Sequence, residues 1–291
     1  MEKHKNMNDN FEIIDCHVHT FANDDIAAKI MASFNKLYDI EFRNPGNGTI
    51  PNVLKNMNEV GIDRTIMANF APPKILDGNN LWTIDTANSS EGRLVPLVNF
   101  HPDMEGRLAE NFEKYVELGA KGIKLHPMAQ GFDINDSRMD ELYKKCSESK
   151  FTILIHCGRV SNARLNEFSD FESIVPIIDK YPDIPIILAH MADGDKECVL
   201  KVSKQYENVY FDTSIVITGY PEIARVNEPS WLDDSEVVDI INEAGAEKIL
   251  FGSDFPWGSS VHDVKRFMKL KLTDSQKKTI LSENAKRLFR I

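Results

Sequence analysis

The chain has 291 residues, enough for one large domain, and its 42% apolar and 27% charged content is ordinary for a soluble globular protein with a sizeable core. With 45 acidic and 34 basic residues the net charge is −11, which repels nucleic acid backbones and anionic membrane surfaces, and no basic stripe offsets it. The apolar runs are far shorter than a membrane span and the opening MEKHKNMNDN is polar, unlike a signal peptide, so a cytoplasmic protein is expected.

Residues 1–10 read as a flexible N-terminus. FEIID (11–15) is then the first of eight short apolar runs. A long connection follows, residues 20 to 63. It holds a helical stretch, DDIAAKIMASFNKLY, a Gly-rich turn, NPGNG, and a second helical stretch, PNVLKNMNEVG, and reads as a partial lid. The remaining runs are RTIMANF (64–70), RLVPLVNF (93–100), KGIKLH (121–126), FTILIHC (151–157), IPIILAH (184–190), NVYFDTS (208–214) and KILFGSD (248–254). Several are almost continuously apolar, as strands buried on both faces are. Amphipathic stretches such as MEGRLAENFEKYVEL (104–118) and DSRMDELYKKCSES (136–149) separate them. The chain closes with TDSQKKTILSENAKRLF, a helix with Thr273 as its N-cap.

Strands alternating with helices predict a parallel sheet, and eight such units close a (β/α)8 TIM barrel of one domain spanning residues 1–291. A doubly wound open sheet would place a Gly-rich phosphate loop after the first strand, where this chain has His17 and His19. The four cysteines, Cys16, Cys146, Cys157 and Cys198, form no CxxC pair and suit reduced thiols rather than a disulfide framework.

Six of the eight histidines fall at or just after the end of a run: His17 and His19, His101, His126, His156 and His190. In a barrel those ends share one face, so residues far apart in sequence converge there. Side chains alternate along a strand, which predicts that Asp15, His17 and His19 point one way while Cys16 and Val18 face the helix layer. Two imidazoles so placed can chelate one ion. Asp254 in LFGSDFPWG adds a carboxylate that can ligate a metal or accept a proton from water. Pro256 and Gly258 argue against the alternative, a helix cap. Lys124 shares a strand face with His126 in GIKLHP. It can bind a substrate carboxylate, become a carbamate bridging two metals, or pair with a neighbour such as Asp15. Arg159 and Arg164 lie beyond the fifth run and can meet a carboxylated substrate, with surface charge the plainer role for Arg164. His101 suits a supporting or exposed position as well as a catalytic one.

IIDCHVHTF, GIKLHP, LIHCG, ILAHM and LFGSDFPWG, in that order, resemble the amidohydrolase superfamily. They are most similar to its amidohydrolase-2 branch, which includes decarboxylases of the aminocarboxymuconate-semialdehyde type. The resemblance runs from about Ile13 to the C-terminal helix. It implies a distorted barrel of the metal-dependent hydrolase type with a divalent metal, often zinc. It implies His17, His19, His156 and Asp254 as ligands in a mononuclear site, with His190 orienting or deprotonating the water. In binuclear members the residue matching His190 is itself a ligand, and a fourth-strand residue, here Lys124, bridges.

Such a site lowers the pKa of its water to about 7 and polarises a carbonyl. Hydrolysis of an amide, ester or lactone of a small molecule is the favoured expectation, with His190 and Asp254 catalytic and one zinc, or two, as cofactor. Decarboxylation or hydration of a small carboxylated substrate is the alternative, for which Lys124, His126 and Arg159 are the candidate substrate-binding groups. A non-catalytic metal-binding barrel is the third. The expected partner is the substrate, not nucleic acid or membrane, with a homodimer left open.

Overall fold

Runs rich in Ile, Leu and Val that are buried on both faces become parallel strands when a helix returns the chain after each one. In the computed structural model, which describes residues 11–38, 46–158, 163–217 and 232–291, every one of the eight runs contributes a strand. They are β1 (Ile14–Val18), β2 (Arg64–Met67), β3 (Leu94–Val98), β4 (Gly122–Leu125), β5 (Ile153–Ile155), β6 (Ile186–Leu188), β7 (Val209–Asp212) and β8 (Ile249–Leu250). They lie side by side in chain order, each parallel to the next. Backbone bonds then draw the last onto the first: Cys16 N–H donates to the Phe251 carbonyl at 2.9 Å, and His19 N–H to Phe255 at 2.8 Å. The sheet is a nearly closed barrel.

Seven strands are shorter than the runs that announced them, and the first is displaced. β1 starts and ends three residues later than FEIID, so His17 lies within it. β8 stops at Leu250, yet Asp254 stays at the barrel mouth because its N–H donates to the His17 carbonyl at 2.8 Å. Alternate strand residues form two cores. Ile66, Leu97, Leu154, Ile187 and Leu250 fill the interior, joined from below by Ala285, Leu288 and Phe289. Ile123, Ile155, Leu188 and Phe211 face the helices.

The first helix of the long connection spans Asp24–Tyr38. The second spans Ile50–Val60, with a proline in its first turn and Gly61 ending it at φ 75°, where glycine has no Cβ penalty. The NPGNG turn falls partly outside the described residues, as do residues 1–10. Thr273 caps the last helix and pairs with Gln276 in a reciprocal capping box. That helix is not continuous: a π-helical turn at Thr279–Glu283 interrupts it. The turn frees the Ile280 carbonyl, which accepts the Phe251 N–H at 3.0 Å just past β8. No helix among the described residues is long and apolar enough to cross a membrane.

Candidate active site and metal centre

Strict alternation along β1 fails at the point where it matters. Ile14 and Cys16 belong to the interior cluster, while Val18 belongs to the outer one, so side-chain parity changes between them. The β1–β2 register shifts over the same residues. A bulge of this kind re-aims the side chains beyond it. Cys16 therefore faces inward, contrary to the expectation from period two, and Asp15 does not share the face of His17 and His19. Asp15 is buried and accepts hydrogen bonds from Ser253 Oγ at 2.5 Å, Ser253 N–H at 3.0 Å and His17 N–H at 3.2 Å. Burial pushes its carboxyl up to about 7 against those bonds.

Beyond the bulge, His17 and His19 meet Asp254. His19 Nε2 lies 3.0 Å from Asp254 Oδ1 and His17 Nε2 lies 3.5 Å from it. The three ligand atoms fall within 4.8 Å of one another, all on buried residues. Burial lowers His19 to about 4, keeping it the neutral imidazole a metal requires. Burial works against the Asp254 charge too, but His17 and the His19 hydrogen bond outweigh it and hold the carboxyl at about 2. Asp254 sits at φ 58°, a costly conformation for a non-glycine residue and one that clusters at functional sites.

On its other side His17 is fixed by a carboxylate. Its Nδ1–H donates to Asp212 Oδ2 at 2.9 Å, which leaves the Nε2 electron pair aimed inward. Lys124 Nζ, fully buried, lies 3.0 Å from that Nε2. Burial brings the lysine down to about 8, although Asp212 and Asp254 favour its charge. An electron pair and a carboxylate oxygen facing each other across 3.5 Å call for a positive charge between them, and Lys124 supplies one at the edge.

His156 and His190 form the second half of the site. His190 Nε2 approaches His156 Nδ1 at 3.2 Å, and His156 Nε2 is buried with no hydrogen-bond partner. If the His156 proton sits on Nδ1, the orphan Nε2 carries a free electron pair. If it sits on Nε2 and the His190 proton on Nδ1, two electron pairs face each other at 3.2 Å. Either arrangement suits a bound cation, so this donor set fits one. Burial keeps His190 down near 4 and holds His156 well below the usual imidazole range. His190 opens a left-handed turn, with Met191, Ala192 and Asp193 also at positive φ.

The structure brings His17, His19 and Asp254 into one potential ligand group and places His156 on the His190 side of the site. His126 stacks on His156 with ring centres 3.9 Å apart, and its Nδ1 accepts the Ala129 N–H. His101 is buried in loop architecture, accepting the Asp103 N–H and packing on Phe132. Arg159 and the Arg164 side chain lie outside the described residues.

Sequence reasoning passed over Asp212, although an acid closing the apolar run NVYFDTS is a visible signal. It also passed over Ser214 and an aromatic wall. Trp257 meets His19 edge-on at 4.7 Å, Phe70 lies 4.6 Å from His126, and Phe34 from the Asp24–Tyr38 helix lies 4.7 Å from Trp257. Aromatic residues give no periodic signal that separates a wall from a core.

Comparison with known proteins decides the affiliation. The amidohydrolase family model matches residues 14–291. The chain belongs to the amidohydrolase family. This amidohydrolase is 23% identical over 257 residues to the 4-sulfomuconolactone hydrolase of Hydrogenophaga intermedia, covering 84% of the chain and 80% of that protein. It is 29% identical over 125 residues to a gamma-resorcylate decarboxylase of Polaromonas, covering 40% and 37%. Its barrel superposes with a TM-score of 0.74 on an uncharacterised TIM-barrel protein of Bordetella bronchiseptica, at 17% identity over 96% of the chain and 99% of the other. A 5-carboxyvanillate decarboxylase of Novosphingobium aromaticivorans, solved with manganese and a nitrobenzoic acid, gives 0.70 at 16% identity, covering 99% of both chains. The amidohydrolase relatives thus include both hydrolases and decarboxylases.

Proposed function

We propose that this amidohydrolase is a metal-dependent hydrolase that opens an ester, amide or lactone bond in a small planar molecule. The observation that carries it is the buried His17–His19–Asp254 group, with the orphaned His156 nitrogen on the His190 side of the site. These four hold one divalent cation. The alternative group, His17, His190 and Asp212, is committed to hydrogen bonds, since Asp212 accepts from His17, Ser214 and the His190 N–H. The proposed site therefore takes a single cation and an unmodified Lys124. Imidazole ligands suit zinc, and the manganese in the 5-carboxyvanillate decarboxylase makes manganese the other candidate. The cation supplies Lewis acidity toward water and a substrate carbonyl.

The chain's own residues do the rest. Asp212 keeps His17 in one tautomer, and the wall of Phe34, Phe70 and Trp257 excludes bulk water and seats a flat ring. His190 and Asp254 accept and return the proton as the bond to the leaving oxygen or nitrogen breaks. The sulfomuconolactone hydrolase, similar over most of the chain, supports a lactone-like substrate.

One observation favours a second reading. Lys124, buried 3.0 Å from His17 Nε2, is the fixed cation that a decarboxylase needs to hold a carboxylate. A panel of lactones, esters, amides, unsaturated dicarboxylates and carboxylated aromatics separates the two. A new carboxylic acid product with no carbon dioxide supports hydrolysis. Carbon dioxide release at kcat/KM above about 10⁴ M⁻¹s⁻¹, without comparable hydrolysis, replaces it with the decarboxylase.

A further inference from the structure

Ser214 stands two residues past the end of β7, and its hydroxyl joins the two halves of the site. The Oγ lies 2.8 Å from His190 Nδ1 and 3.2 Å from His17 Nδ1, and it donates to Asp212 Oδ1. That donation decides the other bonds. A hydroxyl has one proton, and Asp212, an ionised carboxylate, can only accept, so the Ser214 proton goes to Asp212. The Oγ electron pairs are then left for donors. His190 Nδ1 must therefore carry its proton and donate to Ser214 Oγ. The Ser214 carbonyl, 3.3 Å away, is a poorer acceptor for the same N–H.

With Nδ1 protonated and the ring neutral, His190 Nε2 is an electron pair, and it faces His156. His17 obeys the same logic from the opposite wall: its Nδ1–H goes to Asp212 Oδ2, and its Nε2 faces Asp254. One Asp and one Ser at the end of β7 thus set the tautomers of two histidines that come from β1 and from beyond β6. Asp212 also accepts the His190 and Ser214 backbone N–H groups at 3.0 Å each, which fixes the carboxylate itself.

We infer that Ser214 is a positioning residue: relaying the Asp212 carboxylate to His190 Nδ1, it holds the His190 Nε2 electron pair toward the reaction centre. This deepens the proposed function, because it matters to turnover only if His190 handles the proton there. The tautomer itself can be read without any reaction.

The test is the ¹⁵N spectrum of histidine-labelled full-length protein, as purified and after dialysis against chelator, with His190 assigned from a His190→Gln variant. Wild type is expected to show a protonated Nδ1 and an unprotonated Nε2 at His190. Ser214→Ala is expected to mix the two tautomers and to lower kcat by about 10- to 100-fold with KM nearly unchanged, the range typical of lost supporting bonds. Ser214→Thr, which keeps the hydroxyl, is expected to restore both. If the alanine variant does not fold, Ser214→Cys takes its place, with a weaker acceptor and a partial loss expected. An alanine or cysteine variant with the wild-type tautomer and wild-type kcat overturns the inference. A changed tautomer with unchanged turnover keeps the clamp but removes His190 from the proposed chemistry.

Discussion

At the scale of single residues, the proposed chemistry needs imidazoles kept neutral and aimed. Burial does the first, holding His19 and His190 near 4. Carboxylate and hydroxyl partners do the second. Asp212→Asn tests the aiming at His17, because an amide cannot match a carboxylate as acceptor for Nδ1–H. The expected result is a loss of metal affinity of about 10- to 100-fold in competition with a chelator, with the fold retained. Unchanged affinity would mean that His17 needs no outer partner. His17, His19, His126, His156, His190 and Asp254 were visible in the sequence because polar, chemically capable residues stand out at the ends of apolar runs. Asp212 was hidden in plain view at the end of such a run. Ser214 was hidden for a different reason: a serine two residues past a strand has many uses, and only geometry shows which.

At the scale of elements, the loop after β8 is what delivers Asp254. Its backbone turns tightly: Trp257 and Gly258 N–H both donate to the Asp254 carbonyl, at 2.8 and 2.9 Å. A Cβ on Gly258 would lie 1.9 Å from the Ser253 carbonyl oxygen, a contact that only a backbone shift relieves. Gly258→Ala is therefore expected to lower turnover by about 10²-fold, the effect of misplacing one group by about 1 Å. The thermal transition should stay cooperative but fall to a lower midpoint, since the loop is buried and Phe255 packs in the core; steady-state kinetics and a melting curve check the two together. The Asp24–Tyr38 helix makes a gentler prediction. Phe34 contributes one face of the aromatic wall by packing on Trp257, so Phe34→Ala is expected to raise KM by about five- to tenfold with kcat nearly unchanged. A fall in kcat at constant KM would instead make the helix part of the chemistry. That helix was legible in the sequence over its full length, Asp24–Tyr38. The β1 bulge and the π turn near Ile280 were not, because each answers a partner strand rather than a local propensity.

At the scale of the whole molecule, eight apolar runs with helices between them were enough to predict the barrel, since strand number and parallel order leave few closures. Where β8 meets β1 was not predictable, because the bonds that join them lie beyond the end of β8, at Phe251, Asp254 and Phe255. That seam is also where His17, His19 and Asp254 come together, so filling the site should tie the barrel shut. Removing the metal is expected to lower the thermal midpoint by several degrees. A ligand at a hundredfold excess over its Kd stabilises the folded state by about 2.7 kcal/mol.

The central claim, that His17, His19, His156 and Asp254 hold one catalytic cation, is tested most directly by elemental analysis of protein purified without chelator, beside its His19→Ala variant. About one equivalent of zinc or manganese is expected in the wild type, and a small fraction of that in a variant that still unfolds cooperatively. Wild-type protein with no divalent metal and full activity in chelator would contradict the account, as would a His19→Ala variant that keeps its full equivalent.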